Sequence, residues 1–203
     1  MKLYDSIGPN PRVVRMFAAE KGLTIDLIKV DIMGGENRQA AYLSRNPAGQ
    51  MPALELDDGV TVCEVTAICE YLEDIHPTPA LIGSTPREKA ECRMWLRRAD
   101  LNIIEPLANG FRFAEGLPLF ASRIPCEPEA APGLKRIAQN RMQWLSDLAN
   151  GRVWLCGDRF TLADIHLFCF LDFAIQVGQP INPQASWMLA FYDRAKARPS
   201  AGA

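Results

Sequence analysis

The chain has 203 residues, 48% of them hydrophobic and 23% charged, with a formal net charge of −2. That is enough for one large or two small soluble domains, and the charge balance argues against an electrostatic grip on nucleic acid. No apolar run reaches membrane-spanning length. The opening Met1-Lys2-Leu3-Tyr4-Asp5 lacks the apolar core of a signal peptide, so cytoplasm is the expected location.

Leu3-Tyr4 closes a first strand, and Pro9 and Pro11 punctuate the turn after it. A helix is expected from about Arg12 to Lys21, with Val13, Val14, Met16, Phe17 and Ala18 as a broad apolar stripe and Gly22 at its C-terminal cap. Ile25 to Ile32 alternates as a second strand, with Ile25, Leu27, Ile28 and Val30 apolar. After Gly34-Gly35 a short helix covers about Arg38 to Leu43. Ala53 to Leu56 and Val60 to Cys63 flank Asp57-Asp58-Gly59, a hairpin signal. A helix from about Val65 to Ile75 stops before His76-Pro77. This order of strand, helix, strand, helix, strand, strand, helix is that of a thioredoxin-like domain.

The remainder reads as almost all helix. Residues 1–76 form the first domain, 77–85 a proline-rich linker and 86–203 a helical domain. A long helix is expected from Thr85-Pro86 to about Glu105, where Pro106 interrupts it. Leu107 to Gly133 is proline-rich and reads as partly irregular, with a helical piece near Asn109 to Ala114. Further helices span about Leu134 to Ala149 and Ala185 to Ala197. Between them, Thr161 and Asp164 form a capping box, opening a helix that is apolar nearly all round and belongs at a buried centre. Cysteines stand at 63, 69, 92, 126, 156 and 169, without Cys-x-x-Cys spacing or a Cys/His cluster suited to zinc. They read as reduced, mostly buried thiols, and no metal is expected.

The stretch Asn46-Pro47-Ala48-Gly49-Gln50-Met51-Pro52 precedes a strand. It suits a tight turn closed by a cis X-Pro bond, leaving the Met51 N–H and C=O outside the ladder, where a peptide-like ligand can pair as an added strand. This motif, with Glu64-Val65-Thr66-Ala67-Ile68, the Thr161 capping motif and the two-domain order, resembles the cytosolic glutathione transferases across essentially the whole chain. The first loop, Gly8-Pro9-Asn10, is similar to that of the bacterial nu class.

The resemblance implies a thioredoxin-like α/β domain followed by an all-α domain, a homodimer, and glutathione as co-substrate. Met51, before Pro52, would grip the cysteinyl part of glutathione by its backbone. Glu64 would pair with the γ-glutamyl ammonium, and the amide of Val65 would receive the γ-glutamyl carboxylate at a helix N-terminus, with Thr66 as the candidate to compensate for a missing Ser hydroxyl. Val65 replaces the family's usual Ser, removing one hydroxyl. Arg38 and Gln50 would reach the glycine carboxylate. Asp100, on the long helix, would serve the ammonium across the dimer. Asn10 is the first choice for stabilising the thiolate, with Ser6 and then Tyr4 as rivals. The implied activity is transfer of glutathione to an electrophile in detoxification. The alternatives are disulfide-bond reduction and a weakly catalytic binding or structural role. The electrophile pocket is expected between the domains, walled by Phe111, Phe113, Leu117 and Phe120.

Overall fold

Strand alternation sets the layers of the first half. In the computed structural model, which describes residues 1–203, β1 (Lys2–Asp5) pairs parallel with β2 (Asp26–Lys29) and antiparallel with β3 (Ala53–Glu55). β4 (Thr61–Cys63) pairs antiparallel with β3, so the sheet order is β2-β1-β3-β4. Leu3 pairs with Leu54, and Tyr4 with Ala53. Successive side chains point to opposite faces. Tyr4 and Ala53 accordingly share a cluster with Val30 and Tyr42, the latter from α2 (Ala40–Leu43). Leu3 and Leu54 are buried apart from that cluster.

Two longer helices pack against each other, α1 (Pro9–Glu20) and α3 (Val65–Ile75). α1 buries Val13, Val14, Met16 and Phe17, and α3 buries Ile68, Cys69 and Leu72. A buried Phe17 alone is worth about 1.5–3 kcal/mol of hydrophobic stabilisation. Gly22, at φ 66, ends α1 with Leu23 N–H bonded back to the Ala18 carbonyl at 2.9 Å, as a Schellman cap requires.

The chain divides into two units, residues 1–81 with 199–203, and residues 82–198. The last five residues thus belong with the sheet. Arg12 donates to the Ala201 carbonyl at 2.8 Å, and Ser200 donates to Glu20. In the second unit α4 (Pro86–Ala99) begins at a capping box between Thr85 and Glu88. After it come α5 (Glu105–Arg112), α6 (Leu117–Phe120), α7 (Ala131–Ala149), α8 (Leu162–Gln176) and α9 (Ser186–Lys196). The capping box expected at Thr161 forms, with the Asp164 carboxylate accepting the Thr161 N–H at 2.8 Å. Leu162 to Leu171 is buried throughout, as expected for the unit's centre. No helix is long and apolar enough to cross a membrane.

Three expectations need correction. β2 is shorter than Ile25 to Ile32, and all four of its residues are exposed. It is the sheet edge, so its apolar alternation marks no core face. Pro106 does not interrupt the long helix. Asp100–Ile104 winds as a π turn, with Glu105 N–H reaching the Asp100 carbonyl. Proline lacks an N–H and crowds the carbonyl four residues back. Widening the turn ahead of it accommodates both defects. The Asn102 side chain donates to the Arg98 carbonyl at 2.9 Å within the same turn. Finally, Leu107 to Gly133 holds more helix than expected, including α6 and the start of α7.

Candidate functional site

Strand register brings the sequence motifs of the first unit together. Ala53 pairs with Cys63, so Pro52 and Glu64 leave the β3–β4 hairpin at the same end. Tyr4 pairs with Ala53 and Asp5 with Lys29, so the loops after β1 and β2 leave the sheet at that end too. Four segments therefore converge there: Ser6–Asn10, Glu36–Arg38, Asn46–Pro52 and Glu64–Thr66.

The Met51–Pro52 bond is cis, as the motif suggests. The Met51 N–H and C=O make no hydrogen bond within the chain. Free backbone donors and acceptors beside a strand form an edge to which an extended peptide can add. This edge is held by three side chains to which the sequence assigned no such role. Asn37 donates to the Gly49 carbonyl at 2.6 Å, Tyr42 to the Gln50 carbonyl at 2.6 Å, and Asn46 to the same Gln50 carbonyl at 2.8 Å. All three are buried. Burial pushes the Tyr42 hydroxyl up to about 12, so it stays a donor. Asn46 lay inside the quoted motif, and its turn chemistry was the available signal. Asn37 and Tyr42 carried none, because their partners are backbone carbonyls eight or more residues away.

Arg38 is exposed and lies along the same turn, its Nη1 3.4 Å from the Ala48 carbonyl. Gly49 is required there. Its φ is +64, and a Cβ would come within 2.9 Å of Arg38 Nη1 and 3.1 Å of the Asn37 carbonyl oxygen. The Gln50 side chain is exposed beside the edge.

Glu64 caps α3 and is the one non-glycine residue at positive φ, at φ 70 and ψ 128. Such a conformation costs about 1–3 kcal/mol and persists where surrounding structure imposes it, often at functional sites. No side chain caps α3, so the amides of Val65 and Thr66 are free donors at a helix N-terminus. Donors and dipole together favour an anion there.

The first loop offers three candidate donors of unequal availability. Tyr4 donates to Glu55 at 2.7 Å, and burial raises its hydroxyl above the ordinary range. Glu55 is held below the usual carboxylate range by its hydrogen bonds from Tyr4 and Arg45. The Ser6 hydroxyl is buried and donates to the Val30 carbonyl at 2.6 Å. Asn10 is half-buried near the start of α1, and its carboxamide makes no hydrogen bond within the chain. Pro9 and Pro11 flank it, so Asn10 carries the only main-chain N–H among the first three helical residues. The thiol nearest in sequence, Cys63, is pushed up by burial and then by the Glu64 charge. Asp100 belongs to the second unit and opens the π turn, paired with Arg97 at 2.9 Å.

Two family models match the chain: the glutathione S-transferase N-terminal domain over residues 7–75 and the C-terminal domain over residues 121–199. Glutathione S-transferase 2 of Saccharomyces cerevisiae is 32% identical, over 98% of this chain and 87% of its own. Maleylacetoacetate isomerase of Pseudomonas aeruginosa is 35% identical, over 90% of this chain and 85% of its own. The crystal structure of a glutathione S-transferase domain-containing protein from Marinobacter aquaeolei superposes with a TM-score of 0.90 at 36% identity, covering 98% of this chain and 99% of that one. The mixed four-stranded sheet with its helices, followed by a helical domain, is the architecture these models and structures share, and the chain belongs to the glutathione S-transferase family.

Proposed function

We propose that the protein binds glutathione and transfers it to an electrophilic small molecule. The observation that carries this reading is the unpaired Met51 main chain at the sheet end, beside the uncapped N-terminus of α3. In this reading Met51, before Pro52, pairs with the cysteinyl backbone. The Val65 and Thr66 amides take the γ-glutamyl carboxylate, and Glu64 takes the neighbouring ammonium. Arg38 and Gln50 serve the glycine carboxylate. Replacement of the family's Ser by Val65 removes one bond to a charged group, a cost of about 1.5–3 kcal/mol.

Asn10 is assigned the thiolate. Its side-chain amide protons are free, whereas the hydroxyl protons of Tyr4 and Ser6 are held by the Glu55 carboxylate and the Val30 carbonyl. Hydrogen bonding to the charged sulfur favours it and lowers a free-thiol pKa of about 8.5. The thiolate then attacks an electrophilic carbon. A C–S bond forms and the leaving group departs with its electron pair. Ser6 acts by shaping the loop. Asp100 is assigned to the ammonium in a homodimer, which requires its bridge to Arg97 to open. The Gly8-Pro9-Asn10 loop favours a second reading, a bacterial nu-class-like enzyme whose thiolate attacks a disulfide sulfur instead.

The reading is tested by calorimetric titration with glutathione. The parent is expected to bind one glutathione per chain. Tyr42→Phe removes one of two donors holding the Gln50 carbonyl and is expected to raise Kd about fivefold, from a bond worth about 1 kcal/mol. No binding by a folded parent would overturn the glutathione reading. Unchanged affinity in Tyr42→Phe would show that Tyr42 does not set the edge.

A further inference from the structure

A charged cluster lies under the first loop and has no part in the site described so far. Asp5, the last residue of β1, is wholly buried and holds two cations. Arg15, half-buried on α1, donates from Nη1 to Asp5 Oδ1, and Lys29, the last residue of β2, reaches Asp5 Oδ2. A buried carboxylate is costly unless it is paired, so the fold depends on these contacts. Arg15 Nη1 also lies 3.5 Å from the Ser6 carbonyl oxygen. The Asp5 carbonyl accepts the Val30 N–H at 2.8 Å, and the Ser6 hydroxyl donates to the Val30 carbonyl at 2.6 Å. The exit of β1 is thus pinned to the end of β2 on one side and to α1 on the other.

The segment beyond that exit has few anchors of its own. Ile7 is exposed, Gly8 stands at φ 107, and no side chain caps α1. Pro9 and Pro11 offer no N–H to fasten the first turn. Packing against α3 holds α1 through Val13, Val14 and Phe17, all beyond Asn10. The Asp5–Arg15 pair closes residues 5 to 15 into a ring, and Asn10 stands at its midpoint. A carboxamide that serves a sulfur must meet it at hydrogen-bond distance, and a misplacement of about 1 Å can cost about 100-fold in rate. The neck of the ring is where that placement is set.

We propose that Asp5 and Arg15 are positioning residues for Asn10, an inference that rests on the assignment of Asn10 to the glutathione thiolate. Their ion pair fixes the first turn of α1 so that the Asn10 carboxamide faces the sulfur. Lys29 satisfies the second oxygen and ties the same neck to β2. The effect works through placement and not through charge, and the two have opposite signs at Asp5. Removing an anion favours a nearby thiolate and lowers its pKa. Loosening Asn10 takes away the thiolate's donor and raises it.

The test compares the whole protein with Asp5→Val, Asp5→Asn and Arg15→Met. Thiolate absorbance of saturating bound glutathione is followed across pH, and kcat and KM are measured with an aryl halide. Backbone order parameters of Ile7, Gly8 and Asn10 are measured without glutathione. Asp5→Val and Arg15→Met are each expected to raise the bound thiol's pKa by about one unit and to lower kcat about tenfold at a pH below it. KM for glutathione should stay within about twofold, because the Met51 edge and the start of α3 are untouched. Order parameters in the loop should fall from about 0.85 toward 0.6. Asp5→Asn keeps an acceptor for Arg15 and should lie nearer the parent. A pKa unchanged or lowered in folded Asp5→Val would overturn the proposal, as would parental order parameters in both Asp5→Val and Arg15→Met. If Asp5→Val does not fold, Arg15→Met carries the test, and both its pKa and its order parameters must move. A parent that binds no glutathione would bring down the glutathione reading itself, and the proposal with it. Unmoved order parameters beside a parent that does bind would defeat the proposal alone.

Discussion

Lys21→Met is expected to destabilise the first unit by about 3–5 kcal/mol. The Lys21 ammonium is wholly buried and gives its three protons to three acceptors: Glu73 Oε2 at 2.6 Å, the His76 carbonyl at 2.6 Å and the Pro79 carbonyl at 2.8 Å. Glu73 is 5% exposed and also accepts the Leu81 N–H at 3.2 Å. The pair joins the end of α1 to α3 and to the segment that follows α3. Its net worth is small, because desolvating two charges offsets most of their attraction. Removing one partner is different, since the other charge stays buried and loses this ion pair. The double variant Lys21→Met with Glu73→Leu should therefore recover most of the loss, although the His76 and Pro79 carbonyls still lack their donor. Denaturant unfolding of the parent, both single variants and the double variant checks this. A single-variant loss below about 1 kcal/mol would contradict the account.

Acid stability turns on His166. The residue lies on α8, stacked on Phe170 with ring centroids 5.2 Å apart, and its Nδ1 is buried without a hydrogen-bond partner. Burial alone lowers its pKa to about 4. The folded value is below the unfolded one, so the neutral ring's contribution is fully present above about pH 6.5. It is lost as pH falls toward 4, to an extent of about 3 kcal/mol. His166→Phe keeps the ring and removes the titration. The variant and parent should differ by less than about 1.5 kcal/mol at pH 8, and the variant should gain on the parent steadily between pH 6.5 and 4. Asp164 has the opposite sign. Burial pushes it up to about 6, so the folded state gains relative stability as pH falls from there toward 4. Both proteins share that contribution, so it cancels in the difference. Parallel stability curves for parent and variant across this window would show that His166 does not titrate as a buried neutral ring.

Features carried by local chemistry were legible in the sequence. Asp57-Asp58-Gly59 made its hairpin turn, with Gly59 at φ 85, because only a few residues tolerate that backbone. Gly22 ended α1, and Thr161 with Asp164 opened α8, for equally local reasons. The turn before Pro52 and the open start of α3 were legible as motifs, and register then placed them at one end of the sheet. What escaped was set by tertiary partners. Lys21 and Glu73 look like charges on solvated helix faces until α1 and α3 are packed together. Asn37 and Tyr42 hold backbone carbonyls, which carry no side-chain signature. The side chains of β2 are exposed along its whole length, which its apolar alternation did not announce. Pro106 was given its usual role as a breaker, and the π turn that accommodates it has no residue signature of its own.

In the proposed mechanism Asn10 stabilises the thiolate of glutathione held on the Met51 edge. Its most direct test is the thiolate absorbance of glutathione bound to the parent and to Asn10→Ala, followed across pH. A pKa clearly below the free-thiol value is expected in the parent, with a return toward about 8.5 in the variant. Binding with an equal pKa in the two proteins would contradict it and place the sulfur's donor elsewhere.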